Sequence, residues 1–177
     1  MPRAVITGSP GAGKTLLLAA LASRGFVAVP ESARAIIAER KRHGLSPRPA
    51  PLEFASEILR RDAEKYFACP NSSAWSFFDR GALEAIGGVH ALKPFADVEL
   101  AALRRRYAVD RVFVLPPWAA IYVDDAERDQ SFSEAEVVHA VIVRWYRACG
   151  HDPIEVPRLP VEQRADFVVD ALGIVRA

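Results

Sequence analysis

"VITGSPGAGKTLLLAALASRG", residues 5–25, sets an apolar run against a leucine-rich segment, with three glycines and a Lys-Thr pair between them. Gly8, Gly13, Lys14 and Thr15 fit the spacing G-x-x-x-x-G-K-[ST], and Gly11 adds a further glycine inside it. Each residue type has a chemical reason to be there. Glycines let backbone N–H groups turn inward around a β-phosphate, and the following helix offers the positive end of its dipole. The Lys14 ammonium neutralises β and γ oxygens, while the Thr15 hydroxyl suits a Mg²⁺ ion. Ser9, Pro10 and Ala12 complete the loop. The stretch therefore predicts a strand, a phosphate-binding loop over residues 8–15 and a helix. Its expected ligands are a nucleoside triphosphate and Mg²⁺.

The rest of the chain places four more apolar runs at 26–29, 74–78, 111–115 and 153–156, besides the first at 4–7. Segments with helical periodicity separate them, which predicts a parallel sheet covered by helices on both faces. The fold class expected is a three-layer α/β/α P-loop fold with five parallel strands. Leu17, Leu18 and Leu21 fall on one face of the first helix, and Phe132, Ala135, Val138, Val141, Ile142 and Trp145 stripe a later one. Ser131 and Glu134 form a capping box that starts this later helix near Phe132. Three prolines in "HGLSPRPAP" (43–51) make that stretch an exposed connection rather than a helix. It is too short to link domains, so residues 1–177 read as one domain, with a lid region at about 116–131.

Composition narrows the class. Of the 177 residues 51% are hydrophobic and 25% charged, and the formal net charge is +1, which gives no support to bulk nucleic-acid or membrane-surface binding. The apolar runs are far shorter than a membrane span, and the start of the chain lacks the regions of a signal peptide, so a cytoplasmic location is expected. Cys69 and Cys149 stand apart without a C-x-x-C spacing and read as reduced thiols.

The residues at the strand ends decide the type of P-loop protein. Guanine-specific GTPases read their base through N-K-x-D, whereas the only asparagine here, Asn71, precedes two serines. A hydrolytic machine expects Asp-Glu at the end of the strand that ends "FFDRG", where Arg80 stands in place of the Glu. Asp79 and Arg80 there instead resemble the nucleoside and nucleotide kinases of the thymidylate kinase and deoxynucleoside kinase type. That resemblance implies that Asp79 supports Mg²⁺ and Arg80 holds the acceptor or phosphates. The plainer alternative is that Asp79 caps the helix starting near Gly81 and Arg80 is a solvated flank.

Glu31 ends the second strand in "VPESARAII", on the sheet edge that borders the ligand crevice in open α/β folds. It resembles the general base that deoxynucleoside kinases carry there, the alternative being an acid that favours a helix dipole. Arg34, one turn on, is a secondary contact. After the fourth strand such kinases carry a lid with arginines, and Arg128 is the only arginine between Arg111 and Arg144. It is either a lid residue or a surface partner of Asp124 or Asp125. Trp118 is a packed loop aromatic or a base-stacking one, and His139 is structural.

Taken together, "VITGSPGAGKTLLLAALASRGFVAVPESARAII", "FFDRG", "PPWAAIYVDDAERDQSF" and "DPIEVP" resemble a small bacterial family of P-loop proteins labelled AAA domain, similar to the ribosylnicotinamide kinase domain. The resemblance spans nearly the whole chain. It implies a nucleotide-kinase-like fold, strand order 2-3-1-4-5 and ATP binding. The expected function is an ATP- and Mg²⁺-dependent phosphotransferase acting on a small hydroxyl-bearing molecule, a nucleoside or nucleotide. The alternative is an ATP-binding switch whose slow hydrolysis acts on a protein partner.

Overall fold

In the first strand, β1 (Arg3–Gly8), successive side chains go to opposite faces, and both faces are buried: Ala4 and Ile6 join one apolar cluster while Val5 joins another. This strand organises the sheet. The computed structural model describes residues 2–69, 73–121 and 132–174. Along the chain β1 is followed by α1 (Lys14–Ser23), β2 (Val27–Val29), α2 (Ser32–Arg42), α3 (Pro51–Ala68) and β3 (Ser76–Asp79). Then come α4 (Ala82–Leu92), α5 (Asp97–Arg106), β4 (Arg111–Leu115), α6 (Phe132–Ala148), β5 (Ile154–Glu155) and α7 (Val161–Ala171).

The strands lie in the order β2-β3-β1-β4-β5, as the family resemblance implies, and every neighbouring pair is parallel, as the apolar runs predict. The register sets Ile6 opposite Asp79 and Gly8 opposite Leu115. Because all strands run the same way, the residues after Gly8, Val29 and Asp79 emerge on one edge of the sheet. β3 pairs directly with β1, with no strand between them.

Helices cover both faces. On one side Ile6, Phe77, Phe113 and Leu115 pack beneath Leu17, Leu18 and Leu21 of α1 and Ala165, Val168 and Val169 of α7. On the other, Val5, Phe78, Val112 and Val114 meet Tyr66 of α3, Leu83 and Ile86 of α4, Leu100 of α5, and Ile142 and Tyr146 of α6. Burying a side chain such as Leu17 or Ile86 contributes about 1.5–3 kcal/mol, so α1 and α4 are firmly seated. Those two helices carry the loops of the site.

Several local expectations are refined. α6 starts at Phe132, while its capping residue Ser131 lies outside the described residues. Its buried face is Ala135, Ile142 and Tyr146; Val141, counted in the apolar stripe from the sequence, is exposed. The helix is rotated so that the long Tyr146 side chain fills the core and its hydroxyl reaches polar partners at the site. Residues 43–48 are exposed, and Pro51 opens α3, where its fixed φ suits the first helical position and its missing N–H costs nothing. Arg40, Lys41 and Arg42 occupy the last turn of α2, favourable to its dipole. Cys69 and Cys149 are both free thiols.

Candidate active site

The loop between β1 and α1 is shaped by its glycines. Gly8 has φ +138°, and a Cβ there would lie 2.4 Å from the Leu115 carbonyl oxygen, so the loop can leave the sheet beside β4 only without a side chain. Gly13, at φ +84°, precedes α1 with no side chain capping the helix, which leaves the first N–H groups of α1 facing the loop. Arg164 of α7 braces it from behind, donating from Nη1 to the Ala12 carbonyl at 3.3 Å. Trp118 is half-buried beside this guanidinium, 5.9 Å from ring centre to Cζ.

Lys14 folds back over the loop and donates from Nζ to the carbonyls of Gly8 (3.0 Å) and Ser9 (2.9 Å). Burial lowers its pKa to about 7 and Arg80 acts in the same direction, while Asp79, Glu31 and Glu84 pull the other way. An ammonium so poorly solvated gains strongly from an arriving anion. Thr15 is exposed at the start of α1.

Asp79 ends β3 opposite Ile6 and is 7% exposed. Its Oδ1 is buried without a hydrogen-bond partner among the described residues, and burial pushes its pKa up, against the opposing pull of Lys14. The capping alternative fails, because α4 begins after Gly81 with no side-chain cap. A buried carboxylate oxygen lacking a donor, beside a phosphate-binding loop, fits a Mg²⁺ ion or a water of its shell.

Arg80 is no solvated flank. It takes the left-handed conformation (φ 68°), its N–H donates to the Ile6 carbonyl at 3.1 Å, and its side chain turns into the cleft. Nη1 donates to Glu84 Oε1 at 2.6 Å, and Nε lies 3.3 Å from Glu31 Oε1. Burial opposes its charge, yet Glu84 and Glu31 outweigh that and raise its pKa.

Glu31 stands at the N-cap position of α2 but does not cap it. Its carboxylate, 18% exposed, lies between Arg80 and Arg34, whose Nε is 3.6 Å away. Arg34 itself is largely exposed. Glu31 lines a cavity together with Arg80 and Glu84, and its charge acts through space on Lys14 and Asp79. Arg128 lies outside the described residues, as do residues 122–131 of the lid region.

Two acids that the sequence does not single out complete the cleft. Glu84, in the first turn of α4, binds Arg80 through Oε1 and accepts the Thr7 hydroxyl at 2.5 Å and the Tyr146 hydroxyl at 3.3 Å on Oε2. Asp62 of α3 accepts the Ser32 hydroxyl. A cavity of about 210 Å³ opens here, lined by Glu31, Asp62, Arg80 and Glu84 with Ala55 and Ile58 among the apolar residues. The i,i+4 spacing of Arg80 and Glu84 was the one available signal; nothing in the sequence marks Asp62. His139, by contrast, sits 3.7 Å from Glu155, and no cluster of potential metal ligands occurs among the described residues.

The AAA domain family matches residues 3–164. The chain belongs to that family. Among solved structures, this AAA-domain chain resembles deoxyadenosine kinase from M. mycoides with bound dATP, at 15% identity and a TM-score of 0.65, covering 98% of this chain and 100% of the kinase. It also resembles NadR protein in complex with NR, at 17% identity and a TM-score of 0.66. That match covers 99% of this chain but 53% of NadR, so the chain spans about half of NadR's length. At such identities the likeness shows a nucleotide-kinase-like P-loop fold. No curated protein sequence matches the chain.

Proposed function

We propose that this AAA-domain protein is an ATP- and Mg²⁺-dependent phosphotransferase whose acceptor is a small hydroxyl-bearing molecule, a nucleoside or nucleotide. The observation that carries this reading is the position of Glu31. Its carboxylate is held by Arg80 on the wall of a cavity that Gly81 and Glu84 also line, and its charge reaches Lys14 and Asp79 through space, which supports acceptor and donor sides lying side by side. The similar deoxyadenosine kinase and NadR folds support the same class.

In this reading the loop residues Gly8, Ser9, Pro10, Gly11, Ala12, Gly13 and Lys14 hold the β- and γ-phosphates. Bound ATP draws Lys14 away from the loop carbonyls and restores its full charge. Thr15 and Asp79 would hold Mg²⁺, which supplies charge neutralisation at the phosphate oxygens. Glu31 accepts the proton of the acceptor hydroxyl as the hydroxyl oxygen bonds to the γ-phosphorus and the bond to the bridging oxygen of ADP breaks. Arg80, fixed by two carboxylates, orients Glu31 and meets the charge that develops on the transferring group. Arg128 is the proposed lid cation that closes over the phosphoryl group.

The deciding experiment incubates the protein with ATP, Mg²⁺ and a panel of nucleosides and nucleotides. A kinase yields ADP in step with a phosphorylated acceptor. Free phosphate alone, with turnover that responds to an added protein, would overturn this reading in favour of a switch.

A further inference from the structure

One carboxylate on the wall of the acceptor cavity has no part in phosphoryl transfer. Asp62 is 6% exposed and lines that cavity among Ala33, Ala55, Ile58 and Ala85. Ser32 donates its hydroxyl to Oδ1, and no other described residue hydrogen-bonds the group. Lys65 acts on it only through space, because its ammonium donates to the Pro30 carbonyl at 2.6 Å. Arg80, the one guanidinium lining the cavity among the described residues, is committed to Glu84 and Glu31.

A nearly buried carboxylate with a spare oxygen on a largely apolar cavity wall is a ready acceptor for a donor brought by a ligand. Its surroundings say which donor. Ser32 directly follows Glu31 in the chain and is bonded to Asp62, so Asp62 lies close to the carboxylate that would take the reacting hydroxyl's proton. A group that meets Asp62 is therefore near the reacting hydroxyl on the acceptor molecule. In a nucleoside whose 5′-hydroxyl reacts, the donors at that remove are the 2′- and 3′-hydroxyls of the sugar. The apolar residues Ala33, Ala55 and Ile58 leave room for a flat base.

Resting on the kinase reading above, we propose that Asp62 determines specificity for the acceptor sugar, its free oxygen accepting a hydrogen bond from a second sugar hydroxyl of a nucleoside. The Ser32 hydroxyl holds the carboxylate in the orientation that does this. Burial pushes the Asp62 pKa to about 6; Ser32 and Lys65 oppose this shift, whereas Glu31 and Glu84 reinforce it. Near that pH the group gains a proton and ceases to be a full-strength acceptor. Ratios between paired acceptors cancel the titration of ATP and of the other cleft residues.

The test measures kcat and KM for adenosine, 2′-deoxyadenosine and 3′-deoxyadenosine, and for the corresponding three cytidine compounds, in the wild-type protein and in Asp62→Asn. The expected result is a preference of tenfold or more for the ribonucleoside over at least one deoxy form, expressed in KM, which narrows as pH falls through 6. Asp62→Asn, its folding checked by thermal melting, should lose most of this preference. If that variant does not fold, the wild-type preference and its pH dependence decide alone. Equal kcat/KM for all three sugars, or a preference retained in folded Asp62→Asn, would overturn the assignment while leaving a phosphorylated nucleoside as product. No phosphorylated nucleoside, with only free phosphate formed, would overturn the kinase reading and this inference with it.

Discussion

Arg80 and Glu84 are joined by a 2.6 Å hydrogen bond across one turn at the start of α4, and the same glutamate accepts the hydroxyls of Thr7 on β1 and Tyr146 on α6. One carboxylate thereby ties the sheet and two helices to the arginine that contacts Glu31. Removing it leaves the buried Thr7 hydroxyl without its acceptor, the Tyr146 hydroxyl with only a 3.5 Å contact to the Arg80 carbonyl, and a guanidinium with half its counter-charge. Glu84→Ala is expected to lose about 1–3 kcal/mol of stability, read from urea denaturation. Phosphotransfer should fall as well, since Arg80 is then free to leave Glu31.

Lys14 gives a pH prediction with a definite sign. In the folded, nucleotide-free chain its pKa is lowered from 10.5 to about 7. Between those values the unfolded chain keeps a proton that the folded chain has released, so stability rises with pH across the window. The penalty from Lys14 is complete below pH 7 and fades as pH approaches 10.5. Lys14→Met should therefore stabilise the nucleotide-free protein, by more at pH 6 than at pH 9.5 in paired denaturation curves. The same variant should bind ATP roughly 10- to 100-fold more weakly in calorimetry, because a charge-assisted contact worth roughly 1.5–3 kcal/mol is gone.

The two loop glycines should respond differently to substitution. A methyl at position 8 meets the rigid Leu115 carbonyl at 2.4 Å, whereas one at position 13 meets the Arg164 guanidinium at 2.8 Å, which can swing aside. Both positions have positive φ. Gly8→Ala is expected to cost more stability than Gly13→Ala, each by at least about 1 kcal/mol. Thermal melting of the two variants checks the order.

The sequence made the sheet legible because its strands are buried on both faces and read as uninterrupted apolar runs, and because the glycine spacing admits few other turns. The buried face of α6 was harder. Val141 and Tyr146 both suit a helix interior, and only the packing of α6 against α4 and β1 decides that Tyr146 turns inward. Glu84 carried only the weak signal of its i,i+4 spacing from Arg80, and Asp62 was illegible for a different reason. An acid on an amphipathic helix normally marks the solvent face, as Glu57 and Glu64 do in α3 with their arginine partners. What distinguishes Asp62 is Ser32, thirty positions away in sequence and joined to it only when α2 packs on α3.

Glu31 supports the prediction that separates chemistry from binding. Its carboxylate touches Arg80 and Arg34 and lies on the acceptor cavity, beyond the loop that would hold the phosphates. Glu31→Gln keeps the shape of the side chain and a hydrogen-bond acceptor for Arg80, but cannot take up a proton. Under the proposed mechanism it should leave ATP affinity nearly unchanged in calorimetry and lower kcat by about 10²–10⁴. Arg128→Ala should act likewise on kcat, by roughly 10²–10³, if its charge meets the transferring group only when the lid closes. The two variants differ in their dependence on the acceptor. Without one, the residual ATP hydrolysis of Glu31→Gln should match wild type, because the proton it accepts belongs to the acceptor hydroxyl; Arg128→Ala should depress both reactions. Equal loss of hydrolysis and transfer in Glu31→Gln would reassign Glu31 from acceptor base to a support for Arg80.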